Sequence, residues 1–353
     1  MRSLFVVMLA AFIAPVALLA QFGGRDGDVV IYSVSAKGNA DLVAVPAGTT
    51  NTVSGFQVKD PNALTPSPFG SDFAGEFFVN LHNETGDNFR YIIQKEGIVT
   101  QHNLFQGPGK VMISQGLDRL LIPNKDPIDL TAGLYAPFPQ GVDFGPELPI
   151  VEARSFLWTP SPTFPLITPA PDTYKGPQVP ANETGSEYVL ELGQFLGILR
   201  WQGLNSFYPG AGWKQGIDVK VIEQDNALGS VSRVFRLRGG RTTPTFLVRA
   251  NTHLAVLSGS VTITPAGGTP FVLTKHQYAF VPSGFAITLS NPKVYSGPTF
   301  DAPVSASLTV DDSTADSEAQ DAAAADSAPV QDQAPAPADS TSDSGAVSSD
   351  GVQ

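Results

Sequence analysis

Between Gly229 and Asn291 the chain is cut into short apolar runs by Gly, Pro and Asn, as in GSVSRVFRLRGG, TPTFLVRANTHLAVLSGSVTITPAGGTPFVLT and HQYAFVPSGFAITLSN. The runs are rich in Val, Phe, Leu and Thr, and several alternate apolar with polar residues. Proline cannot donate to an interior ladder and glycine marks tight turns, so each break ends a strand and reverses the chain. No stretch of the body sustains an apolar period of 3.6 residues. The pattern predicts an all-β chain of antiparallel sandwich or barrel type and excludes repeated βαβ units. One segment stands apart: SEYVLELGQFLGILRW, residues 186–201, reads either as a helix or as two strands meeting at Gly193.

The ends carry different chemistry. MRSLFVVMLAAFIAPVALLA, residues 1–20, has an early arginine, an apolar run interrupted by Pro15 and a small-residue exit, the pattern of a secretory signal peptide. Secretion to the extracellular space is therefore expected. The run is shorter than the ~20 residues a spanning helix needs, so no membrane anchor is expected. With no cysteine in 353 residues, a secreted chain must be held together by core burial alone. Residues 306–353 form a Ser-, Ala- and Asp-rich tail. From Asp311 onward it holds ten acids and no base or aromatic, and it is expected to be disordered. Those ten acids account for most of the net charge of −12, leaving 23 acids against 21 bases elsewhere. A body so close to neutral offers no basic patch, and a nucleic-acid partner is not expected.

Proline density divides the body. APFPQGVDFGPELPIVEARSFLWTPSPTFPLITPAPDTYKGPQVP fills residues 136–180. Residues 136–184 are expected to connect an N-terminal domain, residues 26–135, to a C-terminal domain, residues 185–305. A connection this long is unusual in a compact protein, so part of it is expected to extend one sheet.

The second half carries a family pattern. Residues 276–291, HQYAFVPSGFAITLSN, resemble the second cupin motif, G(X)5PxG(X)2H(X)3N, with Pro282, Gly284 and Asn291 in register. Upstream, GRTTPTFLVRANTHLAVLSGS resembles the first motif, G(X)5HxH(X)3–4E(X)6G, closing on Gly259. On this register the histidine positions hold Phe246, Val248 and Ile287 and the acid position holds Thr252, none of them a useful ligand for a first-row metal. His253, one residue further, is expected to point to the opposite face of its strand. In the first half, GKVMISQGLDRLLIPNKDPIDL (109–130) resembles a worn second motif with Pro123 as its proline, Lys125 for the glycine and Ile128 for the histidine. Aligned on DNF, NLHNETGD places Asn80, His82 and Asp87 at HxHxxxxE, with Gly75 ahead of them. Two such halves behind a signal peptide resemble the fungal bicupins of the quercetin 2,3-dioxygenase type. The resemblance implies two cupin-like jelly-roll barrels. It also implies a copper or similar ion held by three histidines and a glutamate in the first barrel, none in the second, and opening of a flavonol heterocycle by dioxygen.

Residues 80–89, NLHNETGDNF, therefore carry the question of activity. As a metal site they offer the His82 imidazole, the Asn80 amide and the carboxylates of Glu84 and Asp87, with His102 on a following strand as a further donor. As a sequon, Asn83-Glu84-Thr85 joins Asn182-Glu183-Thr184 as a glycosylation site on an exposed loop. As a turn, Gly86 supplies a positive φ. The last two readings together are favoured. The expected protein is a secreted glycoprotein with its metal ligands largely lost and no cofactor. Its partner would be a small aromatic or sugar-like ligand, or an extracellular polymer. The alternative is a dioxygenase with one copper or other divalent transition metal at a remodelled N-terminal-domain site. Trp158, Trp201 and Trp213 are expected in core or inter-domain packing.

Overall fold

The structure, a computed structural model, describes residues 22–36, 42–64, 67–68, 76–84, 86–161, 166–167, 178–207, 213, 216–225 and 229–292. The expected signal peptide and acidic tail lie outside these residues, as do residues 162–165 and 168–177 of the proline-rich segment. The chain is all-β, built as two cupin-like barrels, each made of two facing sheets.

In the first barrel the larger sheet runs Gln194–Phe195, Leu134–Phe138, Gly109–Leu120, Glu147–Thr159, Asn88–Gln94, Glu76–His82, Ser67–Pro68, with Ile128–Thr131 paired to Gly109–Leu120. It faces a small sheet of Val142–Phe144, Asn103–Phe105 and Leu166–Ile167. In the second barrel the larger sheet runs Gln202–Gly203, Ile217–Asp225, Ser230–Leu237, Val29–Ser35, Thr252–Ser258, Tyr278–Val281, Gln57–Lys59. Its partner runs Leu42–Ala44, Phe246–Val248, Ala286–Ser290, Ser260–Pro265, Phe271–Thr274.

The two large sheets also pack on each other, which makes three apolar layers. Strand Val29–Ser35 is buried along its whole length because it serves two of them. Val29 and Ile31 enter the second barrel's core, while Val30, Tyr32 and Val34 enter the layer between the barrels. That is the period-two alternation of a strand, here with both faces buried. The inter-barrel layer gathers Val79, Leu81, Phe89, Tyr91, Phe156 and Trp158 from the first barrel against Val234, Ala255, Leu257, Tyr278 and Phe280 from the second. Each large side chain buried there contributes about 1.5–3 kcal/mol, so the two barrels stabilise one another.

The structure divides the chain differently from the sequence expectation. Val29–Ser35, Leu42–Ala44 and Gln57–Lys59, assigned above to the N-terminal domain, are strands of the second barrel, with Ile31 paired to both Phe235 and Val256. The proline-rich connection contains Glu147–Thr159, an interior strand of the first barrel that is bonded to Asn88–Gln94 on one side and Gly109–Leu120 on the other. Pro149 is tolerated because it sits where the register with Gly109–Leu120 shifts, a place where no ladder donor is required. The ambiguous segment begins as a helix, Gly185–Leu192, whose Thr184 N-cap and Glu187 form a reciprocal capping box. The helix stops at Gly193, and Gln194–Phe195 then joins the sheet.

Candidate functional site

Equivalent backbone bonds align the two barrels. The His276 N–H donates to Val256, and the Gly133 N–H donates to Ile113 in the same way. The Gly284 N–H donates to Val248, and the Gly141 N–H donates to Phe105. Across the small sheets Phe246 faces Ile287, as Asn103 faces Phe144. Gly116 and Gly259 both have positive φ, and a Cβ on either would meet a backbone oxygen, of Glu152 at 2.2 Å and of Asp28 at 2.7 Å.

This register corrects the reading of the first half. The first motif there is GIVTQHNLFQGPGKVMISQG, from Gly97 to Gly116, and the second begins at Gly133 and passes through Pro139 and Gly141. On this register the positions at which the cupin motifs carry ligands hold Asn103, Phe105, Gly109 and Phe144, and Asn80, His82 and Asp87, with Pro123, Lys125 and Ile128 downstream, fall outside it. The glycine spacing was the available signal, and anchoring on DNF obscured it. One check follows: Gly116→Ala should lower unfolding free energy by about 2–4 kcal/mol in urea titration, from strained backbone and a clash with a central strand. A cost under about 0.5 kcal/mol, as at an open surface turn, would contradict the register.

In the second barrel Phe246, Val248 and Ile287 lie in the apolar core, and Thr252 is buried with its hydroxyl donating to the Ala250 carbonyl at 2.8 Å. In the first barrel Phe105 and Phe144 are core, and the Asn103 amide is the one side chain at these positions with a polar donor or acceptor. A first-row metal needs imidazole, thiolate or carboxylate ligands, and neither set supplies them. The ion implied by the cupin resemblance therefore does not fit the residues at its positions.

Residues 80–84 and 86–89 belong to the hairpin of Glu76–His82 and Asn88–Gln94, with Gly86 at φ +89°. Asn80 and Asn83 are exposed, whereas His82 and Asp87 are buried, so the structure does not bring Asn80 to them. Thr85 of the first sequon lies outside the described residues, and Asn182 of the second is exposed. His82 and Asp87 meet His253, which does project to the opposite face from the barrel core and into the inter-barrel layer. His253 Nε2 and the Trp158 indole N–H both bond Asp87, at 2.7 and 3.0 Å, and His253 Nδ1 lies 2.7 Å from the Tyr278 hydroxyl. Burial pushes the Tyr278 phenol well above its ordinary pKa, so its hydroxyl keeps its proton, while the Asp87 carboxylate can only accept, from Nε2–H of His253 and from the indole. His82 stacks on Phe280 with ring centres 3.9 Å apart, and its Nε2 is 3.9 Å from Asp87. Burial, reinforced by nearby His253, lowers the His82 pKa to about 4. His102 does not join this group; it pairs with Asp143 at 2.8 Å. The three tryptophans pack as expected: Trp158 lies between the barrels, Trp213 lies against Phe246, and Trp201 donates to the Gly23 carbonyl.

The first barrel holds a second polar group. Glu76, Asp118 and Glu147 line a cavity of 60 Å³ together with Gln94, whose amide donates to Glu147 at 2.7 Å and to Glu76 at 3.3 Å. Burial, and then the charge of Asp118, raises the Glu76 pKa to about 8. Burial raises Asp118 and Glu147 as well. The cavity is far below the ~300 Å³ of sites for drug-sized ligands. Among the described residues no group of three or more His, Cys, Asp or Glu side chains is arranged to hold a metal ion.

No family model matches the sequence, and no curated protein matches it. Solved structures do. A protein from Nostoc punctiforme, provisionally described as a dioxygenase, is 12% identical over 78% of this chain and 94% of its own, with a TM-score of 0.50. A deletion mutant of Bacillus subtilis oxalate decarboxylase is 12% identical over 70% of this chain and 77% of its own, at 0.47. Lactobacillus farciminis oxalate decarboxylase in a formate complex is 10% identical over 70% and 85%, at 0.47. At such identities the likeness is one of fold.

Proposed function

We propose that this double-barrelled chain of the cupin fold is a secreted, glycosylated binding protein that uses neither of its ancestral metal positions. The observation that carries this reading is the side-chain chemistry at those positions: Phe246, Val248, Thr252 and Ile287 in one barrel, Asn103, Phe105, Gly109 and Phe144 in the other. In the second barrel Phe246, Val248 and Ile287 fill the space an ion would take, and in the first Asn103, Phe105 and Phe144 leave a cavity of only 60 Å³ without an imidazole on its wall. The exposure of Asn83 and Asn182 supports the glycan part of this reading.

A second reading has one supporting observation. His82, His253 and Asp87 bring two imidazoles and a carboxylate together, the composition of a facial-triad site. Here Asp87 is bonded to His253 and Trp158, with His82 Nε2 3.9 Å away, within a layer where His82 and His253 are no more than 1% exposed. A metal-dependent dioxygenase would need them to part and admit substrate.

Native mass spectrometry of the chain recovered from the medium of a eukaryotic secretion host separates the readings. The expected result is glycan mass at both sites and less than about a tenth of an equivalent of Cu, Mn, Fe or Ni, since a functional site binds near stoichiometry. A near-stoichiometric ion that is lost in His82→Ala would overturn the proposal and support the dioxygenase.

A further inference from the structure

Near their edge strands the two large sheets part and leave a cleft of 280 Å³. Lys110, Tyr135 and Gln194 line it from the first barrel, and Glu223 and Asp225 from the second. The floor is built with unusual care for a surface depression. The Lys110 ammonium is 2% exposed, donates to Ser230 Oγ at 2.8 Å and lies 3.1 Å from the Glu223 carboxylate. The Tyr135 hydroxyl donates to the same carboxylate and lies 3.1 Å from Ser232 Oγ. Burial holds the Tyr135 phenol well above its ordinary pKa, so it stays protonated as that donor. Glu223 is thus pinned on one side by a cation and a hydroxyl while about a quarter of its side chain faces the opening. Charge-assisted bonds of this kind fix an acceptor in place before any ligand arrives.

The walls set the rest of the chemistry. Pro137 and Pro139 present rigid rings, and a proline has no N–H that would need a partner. At the mouth, Gln194 offers both donor and acceptor, and Asp225 is a second carboxylate. Lys110 and Glu223 balance each other, and Lys110 is the only cation among the described lining residues, so nothing there is left to hold an anion. From this combination we infer that the cleft takes one neutral sugar ring, free or at the end of a glycan. Its hydroxyls would bond Glu223, Asp225 and Gln194, and its C–H face would lie on the proline rings.

The assignment rests on the binding-protein reading and deepens it. The test is a thermal-shift and saturation-transfer NMR screen of the full secreted chain with glucose, galactose, mannose, cellobiose and the amine glucosamine. At least one neutral hexose is expected to raise the melting midpoint by about 2 °C or more, because a ligand that binds only the folded state must stabilise it. Cellobiose working as well as the free hexose identifies a chain end as the source; hexose alone identifies the free sugar. Leu192→Trp, at an exposed wall position, should block the cleft and abolish the shift while leaving the unliganded midpoint unchanged. Gln194→Ala should weaken the shift, and Glu223 is left intact because its loss would strand the buried ammonium. A response to glucosamine alone, to no sugar at all, or one unchanged in Leu192→Trp would overturn the assignment. The two proposals fail separately: a metal-free chain that ignores every hexose sinks the cleft, whereas a stoichiometric metal beside intact hexose binding sinks only the metal-free reading.

Discussion

Asp87→Ala is expected to destabilise the protein by about 3–5 kcal/mol, the usual result of removing one member of a buried charged hydrogen-bond group. The substitution leaves the His253 and Trp158 N–H groups facing each other across a dry layer with no acceptor, at 0% and 1% exposure. Asp87→Asn keeps one acceptor oxygen and should cost less, about 1–2 kcal/mol. Pairing Asp87→Ala with His253→Leu removes a stranded donor, so the double variant should lose at least about 1 kcal/mol less than the sum of the singles. Urea unfolding of the four variants measures this. Strict additivity, or an alanine cost below about 1 kcal/mol, would show that the group does not join the barrels.

The carboxyl group inside the first barrel should make the protein less stable as pH rises. Glu76 holds its proton to about pH 8 when folded but releases it near pH 4.5 when unfolded. Between those values the folded state binds the extra proton, so stability from this site is complete below 4.5 and declines by about 1.4 kcal/mol per pH unit up to 8. His82 and His276 act in the other direction. Burial lowers their folded values to about 4 and about 3, so their contribution is complete above 6.5 and is lost as pH falls below it. The window from pH 6.5 to 8 is therefore governed by the carboxyls. Wild-type stability should fall across it by about 2 kcal/mol from Glu76 alone, and Glu76→Gln, which mimics the protonated acid, should remove that part of the slope. Asp118 and Glu147, also raised, leave a residual decline in the variant. A wild-type curve that is flat or rising over this window, or an equal slope in the variant, would show that these carboxyls are ionised in the fold.

Much of the fold was legible in residue order because its signals are local. Gly and Pro breaks announced the strands, and one strand-and-turn register in the second half anticipated Phe246, Val248 and Ile287 in an apolar barrel core. The same rule applied to Gly97, Gly116 and Gly133 would have found Asn103, Phe105, Gly109 and Phe144. The division of the chain was not legible. Nothing local in VVIYSVS says that Val34 lies opposite His253, more than two hundred positions away. For the same reason the meeting of Asp87 with His253 could not be read from either half, since each residue faces outward from its own barrel and only their packing buries both.

Placing Val29–Ser35 between Ser230–Leu237 and Thr252–Ser258 separates the order of synthesis from the order of closure. The earliest described strand leaves the ribosome with every residue destined for burial, yet its neighbours are among the last to be made. The barrel spelled out in the middle of the message can close while the one that begins the message waits. A strand so greasy and so long unpaired is a natural client for chaperones. It also means that no single cut of the polypeptide can release the two barrels as independent pieces.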